Sequence, residues 1–311
     1  MAKDPNASDL LTILRTNPPI TAAWLDRTKN PPILHMLSTA EPEPSLRAVD
    51  HNGSTLPILV PYSLADLPAV IHHQPKLNTL RLPLPCTEPS NAHQTCQNEP
   101  IRCGTQLQPA GAPWVGTAGA PVTWLDRQGN RRWGILSNAH VMVPPTPRLG
   151  HPQCQPTDAS PPIAFLSDYD HPAAKGAAEI DAAVADAWLD GRHTIDRDIL
   201  EIGTPNPEPI TARPGLPAVK SGRTTGKTFA HCTAVGAAVQ IDYGDFVATL
   251  INQDLYTDDD EPFSAPGDSG SLILSCPDLR PCSLLFAGGG NITVGNPVEP
   301  LARRFSLSFQ L

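Results

Sequence analysis

Thirty-seven of the 311 residues are proline, and each one locks φ and removes a backbone hydrogen-bond donor, which ends a helix within a turn. Strands tolerate proline at their ends and along sheet edges. The chain is therefore steered away from long helices and toward short strands joined by stiff loops. The expected fold is mostly β. A hydrophobic fraction of 40% is ordinary for a globular protein of this length. The formal net charge of −9, with no basic cluster to offset it locally, argues against a nucleic-acid partner. No apolar run reaches the length of a transmembrane helix, so no membrane partner is expected. Residues 1–6 lack the apolar core of a signal peptide, and the expectation is a cytoplasmic or virion-associated protein.

Two short motifs carry chemistry. Gly267-Asp268-Ser269-Gly270 precedes an apolar run, residues 271–274, and lies downstream of Leu136-Ser137-Asn138-Ala139-His140-Val141. A serine hydroxyl is a poor nucleophile at neutral pH and needs an imidazole beside it to take its proton. His140 is the candidate base and Ser269 the candidate nucleophile. Attack on a carbonyl builds negative charge on oxygen, which backbone N–H groups in a tight turn can hold. Gly267 and Gly270 permit such a turn. Taken singly, the four-residue motif is also an ordinary turn, and His140 after an apolar strand is also an ordinary buried histidine.

Together the motifs resemble those of the chymotrypsin-like (trypsin-like) serine peptidases, which carry the nucleophile in Gly-Asp-Ser-Gly and the base in an Ala-His context. The resemblance implies a third residue, an Asp between the other two in sequence. Asp181, in Glu179-Ile180-Asp181-Ala182-Ala183-Val184-Ala185, has the acidic-then-apolar setting, with Asp168, Asp170, Asp186 and Asp190 as competitors. Lys220-Ser221-Gly222-Arg223-Thr224-Thr225-Gly226 is similar to a segment of the bacterial α-lytic protease and streptogrisin type, where the Arg pairs with the Asp before the nucleophile. That implies a pairing of Arg223 with Asp268. The implied fold is two antiparallel six-stranded β-barrels, at 105–195 with His140 and Asp181 and at 196–311 with Ser269, behind an α+β extension over 1–104. A cleft between the barrels follows. The implied chemistry is hydrolysis of a protein or peptide substrate through an acyl-enzyme, with the N–H groups of Gly267 and Ser269 as the oxyanion hole and no metal or organic cofactor. Phe263, Ala287, Gly288 and Gly289 would line the specificity pocket and suit an apolar or medium-sized side chain.

Other features compete or stand apart. Gly222 to Thr228 resembles a phosphate-binding loop but is one residue short between its glycines, and such a loop needs a helix after it. Cys276 and Cys282 are spaced for a bridge across a hairpin, while seven cysteines leave at least one thiol unpaired. Cys86, His93, Cys96 and Cys103 cluster without a common zinc spacing. In the extension, 9–15, 20–27 and 63–72 have helical spacing, 45–49 and 56–60 read as strands around Asn52-Gly53, and Pro83, Pro85 and Pro89 mark a linker. The extension suits docking of a partner, a regulatory cover or a propeptide-like role. A binding or assembly protein on a peptidase fold is the alternative to an enzyme with restricted substrates or self-processing.

Overall fold

The computed structural model describes residues 7–39, 64, 67–83, 92–95, 100–173, 176–187, 194–258 and 261–310. The amino-terminal part holds α1 (Ala7–Thr16), β1 (Ile20–Asp26), β2 (Ile33–Ser38) and β3 (Ala69–His73). Two very short strands follow, β4 (Asn78–Thr79) and β5 (Leu82–Pro83), then the turn α2 (Ala92–Thr95) and β6 (Ile101–Cys103). The next part runs through β7 (Thr105–Pro109), β8 (Trp114–Ala118), β9 (Ala120–Leu125), β10 (Arg131–Ser137) and the short α3 (Ala139–Met142). It continues with β11 (Pro152–Cys154), β12 (Pro162–Asp170), β13 (Ala177–Ala178), β14 (Ala182–Asp186) and β15 (Ile195–Ile199). The last part holds β16 (Pro217–Gly222), β17 (Gly226–Asp242), β18 (Val247–Thr257), β19 (Leu272–Ser275), β20 (Pro281–Gly289), β21 (Ile292–Pro297) and α4 (Val298–Phe305).

The protein is mostly β, as its prolines suggest. One sheet has eight strands in the order β5-β8-β7-β11-β12-β14-β10-β9, and a second has eleven. In the second, β16, β19, β20, β21, β18 and β17 follow one another as hydrogen-bonded neighbours, and β17 pairs with both β16 and β18. The expectation of a mostly β fold is thus met, while the strands form an eight-stranded and an eleven-stranded sheet rather than two distinct six-stranded barrels. Two large apolar clusters form the core, the first of which also takes in Val219, Leu272, Leu274 and Leu284 of the carboxy-terminal strands. Val122, Trp124, Ile135, Leu136, Ile163 and Val184 centre the first, and Val239, Leu250, Leu255, Phe286 and Val294 belong to the second.

The extension departs from its expected form. Residues 9–15 do lie in a helix, α1, which buries Leu10, Ile13 and Leu14. Residues 20–27, expected to be helical, instead form β1, buried along nearly its whole length and paired with β17 and β2. Helical spacing there came from residues that are apolar on both strand faces, a pattern that periodicity cannot separate from a buried helix. Within 63–72, Ala69 onward is likewise strand, β3. The stretches 45–49 and 56–60 lie outside the described residues, as do Cys86, Cys96, Pro85, Pro89 and Asp190. The supposed linker at Pro83 is strand β5, paired with β8. Cys276 and Cys282 are free thiols. Gly222 to Thr228 joins β16 and β17 as an antiparallel hairpin, without the helix a phosphate loop requires.

The two halves meet at one tight corner. Thr117 N–H donates to Ser269 O (2.8 Å), and a Cβ on Gly119 would lie 1.9 Å from Gly270 O. Only a glycine lets the backbone of β8–β9 approach the Ser269 turn so closely. Gly119→Ala is expected to destabilise the fold by about 1–3 kcal/mol through overpacking, read as a lower denaturant midpoint in equilibrium unfolding.

Candidate active site

Each of the three residues singled out by chemistry is held by backbone. The apolar strand β10 ends at Ser137, whose hydroxyl donates to Thr117 O (2.7 Å). The chain then turns into α3, which puts His140 one residue inside it. Asn138 Nδ2 donates to Asp181 O (2.9 Å), and Asp181 N–H donates to Asn296 Oδ1 (2.9 Å). Asp181 therefore sits immediately before β14 with its backbone tied on both sides. Ser269 lies in a turn whose glycines, Gly267 (φ +106°) and Gly270 (φ +100°), adopt backbone angles that side chains disfavour.

The structure brings His140, Asp181 and Ser269 into one hydrogen-bonded line. His140 Nδ1 lies 2.6 Å from Asp181 Oδ2, and His140 Nε2 lies 2.9 Å from Ser269 Oγ. The His140 backbone N–H donates to the other Asp181 oxygen (3.1 Å), so ring and main chain are both gripped by the carboxylate. Of the competing aspartates, Asp168 and Asp170 pair with Arg304, and Asp186 lies 3.5 Å from Arg132.

Tyr243 joins the site without any motif to announce it. Its hydroxyl donates to Asp181 Oδ2 (2.8 Å), its ring stacks on Phe246, and its edge meets His140. A lone tyrosine in a β-hairpin has no motif around it, which is why spacing did not single it out. Burial pushes the Asp181 carboxyl up, but the His140 ring and the Tyr243 hydroxyl outweigh it and hold the group down at about 2. Burial lowers the His140 imidazole, with Asp181 pulling the other way. A neutral imidazole that donates Nδ1–H to Asp181 would present an Nε2 lone pair to the Ser269 hydroxyl. Such a line can take a proton from Ser269 and stabilise the cation formed.

The pairing of Arg223 with Asp268 is corrected by the structure. The Asp268 carboxylate accepts the N–H groups of Thr224 (2.8 Å) and Thr225 (3.2 Å) on one oxygen. Its other oxygen accepts Ala265 N–H (3.0 Å) and Thr225 Oγ1–H (2.7 Å), with Lys220 Nζ at 3.5 Å. Arg223 turns elsewhere, its Nε donating to Gln106 Oε1 (2.7 Å). The cation at Asp268 is Lys220, fully buried, and it too approaches from the β16–β17 hairpin.

Among the described residues, the chain's own Leu80 lies against Ser269, where a substrate cleft was expected. The Leu80 carbonyl oxygen accepts Gly267 N–H (2.5 Å) and lies 3.4 Å from Ser269 N. Leu80 N–H donates to Ser269 Oγ (3.0 Å), which also lies 2.9 Å from Phe286 O. The Leu80 side chain joins a buried apolar cluster with Phe263, Tyr256, Ala218 and Leu285. Ala287 and Gly288 pair with Thr79 and Asn78, and a Cβ on Gly289 would lie 2.6 Å from Lys76 O.

Solved structures that this chain resembles include bacterial chymotrypsin-like serine proteases. A Cellulomonas bogoriensis chymotrypsin is 20% identical over 67% of this chain and 96% of its own, with a TM-score of 0.47. Thermobifida fusca Protease A is 18% identical over 67% of this chain and 97% of its own, with a TM-score of 0.49. The α-lytic protease homolog N4 is 17% identical over 68% and 99%, with a TM-score of 0.49. No family model matches the chain, and no curated protein matches it.

Tyr243→Phe removes one of the hydrogen bonds that Asp181 receives. A charge-assisted bond of this kind is worth roughly 1.5–3 kcal/mol, so the rate of any reaction through this line should fall by about 10- to 100-fold. Acylation of Ser269 by an active-site reagent, followed against time, provides the measurement. In the parent chain the same rate should fall in acid with a midpoint below 6.5, the ordinary imidazole value, because burial lowers His140 and only its neutral form accepts a proton.

Proposed function

We propose that the protein is a serine endopeptidase whose triad is Ser269, His140 and Asp181, acting on restricted protein substrates or on itself. The observation that carries this reading is the unbroken line from Ser269 Oγ through His140 to Asp181, at 2.9 Å and 2.6 Å. In this reading Ser269 attacks a peptide carbonyl while His140 takes its proton. His140 then returns that proton to the leaving amine, and water repeats the sequence to free the acyl group. Asp181 keeps the imidazole in the required tautomer. Gly267 N–H and Ser269 N–H act as the oxyanion hole, a role supported by their convergence on one carbonyl oxygen, that of Leu80. Asp268, gripped by Lys220 and the Thr224-Thr225 backbone, supports the turn.

The primary pocket is read as apolar, with Phe263 in its wall and Ala287, Gly288 and Gly289 along its edge. The two β halves are read as barrels over 105–195 and 196–311 that contribute opposite sides of the site, with 1–104 as an extension. The non-catalytic alternative, a binding or assembly protein, has one observation in its favour: the site is covered by residues 76–83.

A fluorophosphonate should label the chain at Ser269, and the label should vanish in Ser269→Ala. His140→Ala should stay folded by circular dichroism while labelling slows by a factor of about 10³ or more. A folded His140→Ala chain that labels at the parent rate would overturn the triad.

A further inference from the structure

Residues 76–83 run through the groove between the two β halves, paired by main chain on both sides. On one side β4 is antiparallel to β20, Thr79 opposite Ala287 and Asn78 opposite Gly288, and Leu80 N–H lies 3.3 Å from Phe286 O. On the other, β5 is antiparallel to β8, with Leu82 opposite Val115 and Pro83 opposite Trp114. Leu80 and Arg81 span the gap between these ladders, directly over Ser269. An extended peptide that adds a strand to exposed edges is a general mode of peptide recognition, with affinity from the main chain and selectivity from alternate side-chain pockets.

Both flanks of the Leu80–Arg81 bond are anchored. Leu77 is buried in the cluster that includes Trp24, Leu37 and Phe286, its carbonyl accepts Asp242 N–H (3.0 Å), and Lys76 Nζ lies 2.5 Å from Asp242 Oδ2. Past the bond, the Arg81 guanidinium stacks 4.2 Å above the Trp114 ring, and its Nη1 donates to His140 O (3.3 Å). The glycines of β20 are what allow the segment in: a Cβ on Gly288 would press within 3.1 Å of Leu80 Cδ1. Between these anchors, the carbonyl oxygen of Leu80 is fixed by Gly267 N–H and its amide N–H reaches the Ser269 hydroxyl. The carbonyl carbon, bonded to that oxygen, is thereby held beside the nucleophile, the condition for a near-attack arrangement.

We propose, resting on the serine-peptidase reading, that residues 76–83 are this protein's own substrate and that Ser269 cleaves the Leu80–Arg81 bond of the same chain. Ser269 Oγ bonds to the Leu80 carbonyl carbon and the C–N bond to Arg81 breaks. The serine proton passes by His140 Nε2 to the departing Arg81 amine. Water then hydrolyses the Leu80 ester, restoring the Ser269 hydroxyl and leaving a carboxylate on Leu80. The products are 1–80 and 81–311, and clearing the segment from the groove opens it to other chains. The amino-terminal product is still tied by the β1–β17 pairing, so the cut is read under denaturing conditions.

Intact-mass analysis of the purified full chain in denaturant tests this. The parent should yield a fragment beginning at Arg81 and its 1–80 complement, and Ser269→Ala should remain whole. Ser269→Ala mixed with parent should also remain whole, since its own segment shields the bond. Leu80→Asp should slow the cut by at least about 100-fold, because a carboxylate would enter an apolar pocket, with Leu80→Ala as the milder variant if the first does not fold. Cutting at another bond, or cutting of Ser269→Ala by the parent, overturns the proposal. An uncut parent whose Leu80→Asp or Leu80→Ala form labels with fluorophosphonate at Ser269 also overturns it and leaves the peptidase reading standing. An uncut parent with no labelling in any form removes both.

Discussion

The buried Asp268 carboxylate is the fixed point on which the site depends. It accepts backbone and side-chain bonds from Thr224, Thr225 and Ala265 and faces Lys220, and every one of these groups belongs to the β16–β17 hairpin or to the turn that carries Ser269. A buried carboxylate is costly unless it is met in this way. Once met, it pins the backbone of 267–270 to the hairpin. With that turn fixed, Gly267 N–H and Ser269 N–H point at one oxygen, and Ser269 Oγ points at His140.

The other half of the molecule supplies His140, and it does so across a corner too tight for side chains. Thr117 holds the turn twice, by its N–H to Ser269 O and by its hydroxyl to Gly267 O (2.8 Å). The same residue receives Arg223 N–H on its hydroxyl (3.0 Å) and Ser137 Oγ–H on its carbonyl. One threonine thus links the nucleophile turn, the hairpin behind it and the strand leading to His140. The distance from Ser269 to His140 is set by this backbone network, which is stiffer than any pair of surface side chains.

What was legible in the sequence follows from the same physics. Residues that must be of one kind in one local context, such as Gly267, Ser269 and His140, leave a pattern in the chain. Asp181 left a weaker one, and Tyr243, which reaches Asp181 from a distant hairpin, left none. Lys220 and Arg223 both lie in the segment that suggested a cation for Asp268. Both are buried, and it is Lys220 that meets the carboxylate while Arg223 donates to Gln106. The extension was misread where strands β1 and β3 are apolar on both faces. It was misread again at Pro83, because a proline that ends a free linker and a proline that ends a two-residue strand look alike in sequence. That residues 76–83 lie in the groove depends on tertiary contacts with β20, β8 and β17, which no local pattern announces.

A segment held in the groove by its own chain differs from a free peptide in one respect that bears on specificity. Its encounter with Ser269 is intramolecular, so the translational and rotational cost of binding is already met by the fold, and its effective concentration is set by the anchors at β1–β17 and Lys76–Asp242. A free substrate has to supply that free energy through contacts of its own. Leu80 fits the apolar cluster of Phe263, Tyr256 and Ala218, yet its occupancy of that pocket measures tethering and fit together. Preference for leucine in a separate chain rests on the fit alone, and it therefore has to be weaker than the fully seated Leu80 would suggest. On the peptidase reading, the main-chain ladders to β20 and β8, which any extended sequence can form, would then carry the larger share of recognition, and selectivity would fall to the few positions, Leu77 and Leu80 among them, whose side chains are buried.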